Sequence, residues 1–269
     1  MKALTKNMGY CAICGQYRKL TFEHIPPQKA LNNTKVNVYS LNEQLKRSEG
    51  KPAKFNIQQK GMGKHSLCKE CNNNTGSWYG LQYSEMAQNI AYYLFENGYL
   101  EHGDAIQITT KNTEPLAFVK QVIAMFCSTL PIEKVRELKF DELLLDKENN
   151  EFQKNQFDLR MFISSAETGS YLTGMCAPVY INKDTNQYES TLVAEMGVYP
   201  FGFILNLDVS KPIGYGVSLM DLLNTTYGKE YEIKWVIPYL EKNSSKLPLP
   251  LQFKTLPESA ILGELKIST

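Results

Sequence analysis

Two cysteine pairs in this chain share the spacing C-x-x-C: Cys11 with Cys14, and Cys68 with Cys71. Each pair can present two thiolates to one metal ion, and two such pairs complete the closed tetrahedral site that is typical of structural Zn²⁺. Independent core cysteines or disulfides are the alternatives. In a reducing compartment, however, paired cysteines are more often metal ligands than disulfides. We therefore expect these four residues to bind structural zinc.

A second group of residues, between and after these pairs, could hydrolyse a phosphodiester. Glu23 and His24 are adjacent between the pairs, and Asn72 directly follows Cys71. The His24 imidazole could take a proton from water near neutral pH, and the Glu23 and Asn72 side chains offer the oxygen ligands that suit Mg²⁺. The alternatives are a surface Glu-His pair at the end of a strand and an asparagine that caps a helix. Zinc at the cysteines would hold Asn72 opposite the strand that carries His24.

These motifs together resemble one known family. The order C-x-x-C, then Glu23-His24-Ile-Pro-Pro, then Leu-Cys-x-x-Cys-Asn72-Asn, is similar to the zinc-containing HNH endonucleases, members of the His-Me finger group with a ββα-metal core. The resemblance covers roughly residues 8–80. It implies that His24 is the general base and that Glu23 and Asn72 bind a catalytic Mg²⁺ or Mn²⁺. The expected substrate is a nucleic acid, which we take to be DNA, with RNA as the alternative.

The chain departs from this family pattern at three points. The acid before the histidine is Glu23 rather than the commoner Asp, and the insertion between the cysteine pairs is longer than in minimal members. The middle Asn of the pattern, which braces the histidine-bearing loop, falls on Gly63. Another side chain must then orient His24. The candidates are His65, Gln58 and Gln59.

Charge is unevenly distributed along the chain. Residues 1–101 carry 13 Lys and Arg against 7 Glu, whereas residues 102–269 carry 16 against 21 acidic residues. A basic zinc module indicates a polyanionic partner, although exposed lysines commonly serve only solvation. We expect Lys54, Lys60 and Lys64, in and just after the insertion at 32–63, to contact the phosphates of a nucleic acid.

The secondary-structure signals place these residues on a strand, a second strand and a helix. A strand at 19–24 ends before Pro26, a second strand at 64–68 leads into a helical turn at 69–75, and Ser77 caps a helix that ends near residue 97. A short helix is expected at 41–47. The rest of the chain predicts helices at 116–130, 132–146 and 217–224, and strands at 159–165, 171–181, 190–196, 201–207 and 231–239.

The predicted fold class is therefore α+β with two domains. Residues 1–101 would form a small zinc-stapled ββα-metal domain with a basic insertion. Residues 102–269 would form an α+β domain with an antiparallel sheet, serving recognition or regulation. The start of the chain has no apolar core of signal-peptide length, and no apolar run reaches the ~18 residues of a membrane span, so a cytoplasmic location is expected.

The sequence predicts a metal-dependent DNA endonuclease with structural zinc and a catalytic divalent ion. One alternative is a zinc-dependent nucleic-acid-binding protein that does not cut. Another is a defence or toxin nuclease that a ligand or protein regulates through residues 102–269. Cutting both strands with one site per chain would favour a homodimer.

Overall fold

The computed structural model describes residues 7–98, 100–152, 155–164, 170–171, 174–177, 179–182, 187–241, 253, 260 and 263–268. The elements of the first part of the chain are β1 (Met8–Tyr10), β2 (Tyr17–His24), β3 (Val36–Val38), α1 (Leu41–Ser48), β4 (Asn56–Gln58), β5 (Gly63–Cys68), α2 (Lys69–Trp78) and α3 (Gly80–Asn97).

The remaining elements alternate less regularly and are mostly strands. They are β6 (Ala105–Thr113), α4 (Pro115–Cys127), α5 (Ile132–Glu137), α6 (Phe140–Leu145), β7 (Asp158–Ile163), β8 (Ser170–Tyr171), β9 (Val179–Asn182), β10 (Gln187–Ser190), β11 (Val193–Val198), β12 (Phe201–Asn206), β13 (Val217–Ser218), a 3-10 helix (Met220–Asn224), β14 (Tyr231–Pro238) and β15 (Glu264–Ser268).

The strands form antiparallel sheets, so the fold is α+β with antiparallel sheets, as predicted. The first sheet has the order β1-β2-β5. The later strands form a five-stranded sheet, β13-β7-β12-β11-β8, and a three-stranded sheet, β15-β14-β6, while β3 pairs with β4 and β9 with β10. Every pairing between these strands is antiparallel.

Helix α4 lies at the centre of the molecule. All of its residues are buried, including the polar Lys120 and Gln121, and its other residues are apolar, as expected of a buried helix. Tyr83 of α3 stacks on Phe118 of α4 with 5.7 Å between ring centroids, and Phe118 also contacts the rings of Phe201 and Trp235. One hydrophobic core thus includes residues from both sides of position 101. A cut at that boundary would expose apolar surface on both pieces.

Several helix ends lie at other residues than the local sequence signals predicted. Helix α2 continues through Gly76 to Trp78 and α3 begins at Gly80, so the predicted cap at Ser77 is wrong; its hydroxyl instead donates to the Asn74 carbonyl at 3.1 Å. A single glycine weakens a helix by about 1 kcal/mol, which packing can offset. The helix predicted at 132–146 is two helices, because Lys139 adopts a left-handed conformation with φ of 54°.

Several strands were missed or shortened in the sequence reading. The missed strands are β1, β3, β4, β6, β10 and β15, and the helix predicted at 217–224 begins as the short strand β13. The strand predicted at 171–181 falls partly on 172–173 and 178, which lie outside the described residues. Within the described ranges, no helix has both the length and the apolar character that a bilayer crossing requires.

Candidate active site and its cysteine cluster

The four predicted zinc ligands come together in space. Cys11 and Cys14 lie in the turn between β1 and β2, Cys68 ends β5, and Cys71 lies in the first turn of α2. Their sulfur atoms all lie within 4.8 Å of one another, and none forms a disulfide. Four sulfurs bound at about 2.3 Å to a tetrahedral ion would be roughly 3.8 Å apart. The cluster is therefore compatible with a closed structural zinc site.

Hydrogen bonds already organise this cluster. The Cys68 backbone N–H donates to Cys11 Sγ at 3.3 Å, and Arg136 of α5 donates to the Cys14 carbonyl at 3.2 Å. The hydrogen bond between Cys11 and Cys71 lowers the pKa of the Cys11 thiol and raises that of the Cys71 thiol, because the pair shares one proton between the two sulfurs. The Cys68 hydrogen bond also joins the end of β5, just before Asn72 and α2, to the turn that carries Cys11.

His24 lies at the end of β2, where it pairs with Gly63 of β5. Its Nε2 atom is 3.0 Å from the Lys60 carbonyl oxygen. Because a carbonyl can only accept, Nε2 carries the proton and the neutral ring keeps its lone pair on Nδ1. Burial lowers the pKa of His24, which favours this neutral form. The Nδ1 atom is thus available as a base.

The loop that carries this carbonyl is held by two amide side chains. Gln58 bonds both backbone groups of Gly63, with its Nε2 2.9 Å from the carbonyl oxygen and its Oε1 2.9 Å from the nitrogen. Asn32 is buried; its Nδ2 donates to the carbonyls of Pro26 at 2.7 Å and Met62 at 2.8 Å, and its Oδ1 accepts from the Met62 N–H at 2.6 Å. Both ends of the loop are therefore fixed.

Of the residues proposed to orient His24, Gln58 holds one end of the loop whose Lys60 carbonyl contacts the His24 ring. His65 is exposed, and its ring packs edge-on against Phe22 at 5.4 Å, while the His24 ring contacts Phe22 at 5.1 Å. Sequence reasoning missed Asn32, because an Asn in a polar insertion carries no signal of a contact 30 residues away. An Asn side chain at Gly63 is sterically blocked, since a Cβ there would lie 2.1 Å from the Glu23 carbonyl oxygen.

Glu23 is a buried carboxyl group. Only 7% of its surface is exposed. Burial raises its pKa to about 8, since desolvation disfavours the charged form. Across the sheet it pairs with Lys64, but in the described part of the chain no ion pair joins Glu23 to a basic side chain. A cation beside this carboxylate would offset the cost of its charge.

The Asn72 side chain points from α2 to β2, at the two residues that precede Glu23 and His24 in that strand. Its Nδ2 donates to Thr21 Oγ1 at 2.9 Å and to the Phe22 carbonyl at 3.1 Å. Thr21 Oγ1 donates its own proton to the Leu67 carbonyl, so it must accept from Asn72. The amide orientation is thereby fixed, with Oδ1 turned away from both acceptors. Asn72 does not cap α2, because Cys68 occupies the cap position.

Glu23, His24 and Asn72 line one cavity of about 250 Å³. Its other walls include Lys29 and the buried Gln121 of α4. Side chains that can supply a base, a carboxyl oxygen and an amide oxygen thus lie around one space, whose volume could accommodate a divalent cation and a phosphate group. The oxygen donors match the preferences of Mg²⁺ and Mn²⁺.

The predicted phosphate-contacting lysines lie outside this cavity. Lys54 and Lys60 are exposed, and Lys64 is half-buried with its pKa lowered by burial. Lys29, which the sequence reading did not single out, is exposed and lines the cavity directly. A second depression of about 460 Å³ lies beside the cysteine cluster. Its lining includes Arg18, Lys19, Lys69 and Asn73.

Comparison of this chain with protein-family models, with curated proteins and with solved structures gives no match. Its function must therefore be argued from the chemistry of the site itself.

Proposed function

We propose that this protein is a metal-dependent endonuclease that hydrolyses DNA through an HNH-type site in residues 1–101. One observation supports this most directly. His24 is held through Nε2, Nδ1 makes no hydrogen bond to the part of the chain that the structure describes, and the residue lines the same cavity as Glu23 and Asn72. In this proposal β2, β5 and α2 are the ββα-metal core, and zinc at the four cysteines holds that core together.

The two metals would have separate tasks. Zinc would fix the junction of β5 and α2 and so place Asn72 opposite β2. Mg²⁺ or Mn²⁺ would be held by the Glu23 carboxylate and the Asn72 amide oxygen, and when bound it supplies positive charge to the phosphate. The residues fit this second ion, since the buried carboxyl of Glu23 lacks a cationic partner among the described residues.

The protein's part in the reaction is to remove a proton from water. His24 Nδ1 takes that proton as the water oxygen forms a bond to phosphorus. The bond from phosphorus to the departing strand oxygen then breaks, and that oxygen takes a proton from solvent. The Lys60 carbonyl, which accepts from Nε2, stabilises the protonated ring. General-base catalysis of this kind contributes about 10²–10⁴-fold in rate.

The charge distribution supports a nucleic acid as the partner. Thirteen basic side chains against seven acidic ones lie in residues 1–101. In the proposal Lys29 contacts the phosphate in the cavity, and Lys54, Lys60 and Lys64 contact the strand on either side. Loss of one such lysine should weaken binding similarly for all sequences. A homodimer would let two sites cut both strands.

The test is cleavage of supercoiled plasmid by the full-length, zinc-loaded protein with Mg²⁺ or Mn²⁺. We expect His24→Ala to lower the rate at least ~100-fold, as loss of a general base does, without loss of folding. His65→Ala is the matched control, because it removes the other histidine that packs on Phe22; it should cut nearly as fast as the wild type. Equal rates for His24→Ala and the wild type would refute the proposal.

The same experiment separates the alternatives. Binding of DNA without cleavage, across several divalent metals, would favour a non-cleaving nucleic-acid-binding protein. Cleavage that requires a cell extract or a small ligand would favour a nuclease regulated through residues 102–269.

A further inference from the structure

Gln121 is a buried polar residue on α4 with an unpaired oxygen. Its side chain is 1% exposed, and in the described part of the chain its Oε1 has no hydrogen-bond partner. Such orphaned acceptors are rare, because burying one costs the hydration it had in water. An orphan of this kind calls for a partner that the folded chain alone does not supply.

This residue lines the cavity that Glu23, His24 and Asn72 also line. The wall next to its oxygen is the backbone of Gly80, where a Cβ would lie 3.7 Å from Gln121 Oε1. Ser84 lines the cavity too, but its hydroxyl donates to the Gly80 carbonyl at 2.7 Å. The nearby hydroxyl is therefore already used, and the amide oxygen is left for a ligand.

We propose that Gln121 belongs to the cation site, with its terminal amide turning so that Oε1, which is covered in this structure, reaches the hydrated cation that Glu23 and Asn72 hold. This inference rests on the proposed nuclease function. It adds a third oxygen donor to the carboxylate and the first amide, a set that suits a hard divalent ion. It also means that residues 102–269 contribute to the site, because α4 (Pro115–Cys127) follows the predicted boundary.

A purely structural role for Gln121 makes the opposite prediction about stability. If the amide existed only to hold α4 in place, Gln121→Met would lower the melting temperature. If it faces a cation, the same change removes an orphaned acceptor from a metal-free site. The melting temperature without divalent metal should then stay the same or rise, while cation affinity falls.

The experiment is a titration of Mn²⁺ into full-length zinc-loaded protein, followed by electron paramagnetic resonance, with melting temperatures measured in parallel. We expect Gln121→Met to weaken Mn²⁺ binding by about 10-fold, the usual loss for a residue that supports a metal site. Gln121→Glu, which keeps the shape and adds charge, should bind Mn²⁺ more tightly. Gln107→Met, the same change at an exposed position on β6, should match the wild type.

The possible outcomes distinguish a failure of this inference from a failure of the proposed nuclease function. If the wild type binds Mn²⁺ and Gln121→Met binds it equally well, the inference is wrong and the proposed function stands. If Gln121→Met lowers the melting temperature and Gln121→Glu does not tighten binding, Gln121 is structural and the inference is again wrong. If the wild type binds no Mn²⁺, the proposed cation site itself fails.

Discussion

Replacing Asn32 by alanine tests whether the loop behind His24 matters for both folding and catalysis. Asn32 makes three hydrogen bonds to backbone groups of the chain segments that flank this loop. Alanine removes all three and leaves the Met62 N–H and the Pro26 carbonyl without that partner. The Met62 carbonyl keeps one donor, the Ile25 N–H at 3.0 Å.

The expected loss of stability follows from this count. At about 1 kcal/mol net for each intramolecular hydrogen bond, three bonds amount to ~3 kcal/mol. The catalytic effect has a separate cause. The carbonyl that holds His24 lies in the same loop, and a misplacement of about 1 Å at an active site can cost 10²-fold in rate. We therefore expect cleavage to slow by about 10²-fold even where the variant is fully folded.

Urea unfolding and single-turnover cleavage measure the two effects, and ¹⁵N NMR of the His24 ring reports whether its Nε2 proton is kept. Asn33→Ala is the matched control, since the neighbouring Asn33 is exposed and the chemical change is identical. If Asn32→Ala and Asn33→Ala have the same stability and the same cleavage rate, the role given to this loop is wrong.

Three further predictions concern the frame of the site. Gly63→Ala should destabilise the fold, because its Cβ would lie 2.1 Å from the Glu23 carbonyl oxygen; Gly76→Ala, with open space around the new Cβ, should stabilise α2 by about 0.5–1 kcal/mol in urea unfolding. Removal of zinc by a chelator should lower the melting temperature sharply, and addition of zinc should restore it, because structural zinc contributes directly to folding. An unchanged melting temperature would argue against a structural role. Burial lowers the pKa of Lys120 from 10.5 to about 8. Between pH 8 and pH 10.5 the unfolded chain therefore holds the Lys120 proton and the folded chain does not. The contribution of Lys120 to the free energy of unfolding consequently rises with pH in this range. Lys120→Met should lack that rise when unfolding is compared at pH 7.5 and pH 10.

The local parts of the site could be predicted from the sequence. The C-x-x-C spacing brings two sulfurs together within each turn, and a tetrahedral ion needs the two turns to meet, so the approach of Cys68 and Cys71 to Cys11 and Cys14 follows from the cysteines. The strand ends before Pro26 and at Cys68 were predicted correctly for the same reason, since proline and the cysteine turn both act within a few residues.

The parts that depend on distant contacts could not be predicted. Asn32 bonds Met62 across 30 residues, and Gln121 reaches the cavity from a helix that looked like plain core. Strands β6 and β15 pair with β14, which no local pattern specifies. The Ser77 cap failed because α2 continues to Trp78, which places Ser77 inside the helix, where its hydroxyl donates to the Asn74 carbonyl.

We propose that the two metal sites have different roles. Zinc at the four cysteines stabilises the fold of the site, and a second, catalytic cation binds in the cavity lined by Glu23. Anomalous diffraction from crystals grown with zinc and soaked in Mn²⁺ tests this proposal most directly. We expect a zinc peak among the four cysteine sulfurs and a manganese peak in the cavity lined by Glu23, Asn72 and Gln121. A zinc peak alone, or manganese bound only at sites away from Glu23, would contradict it.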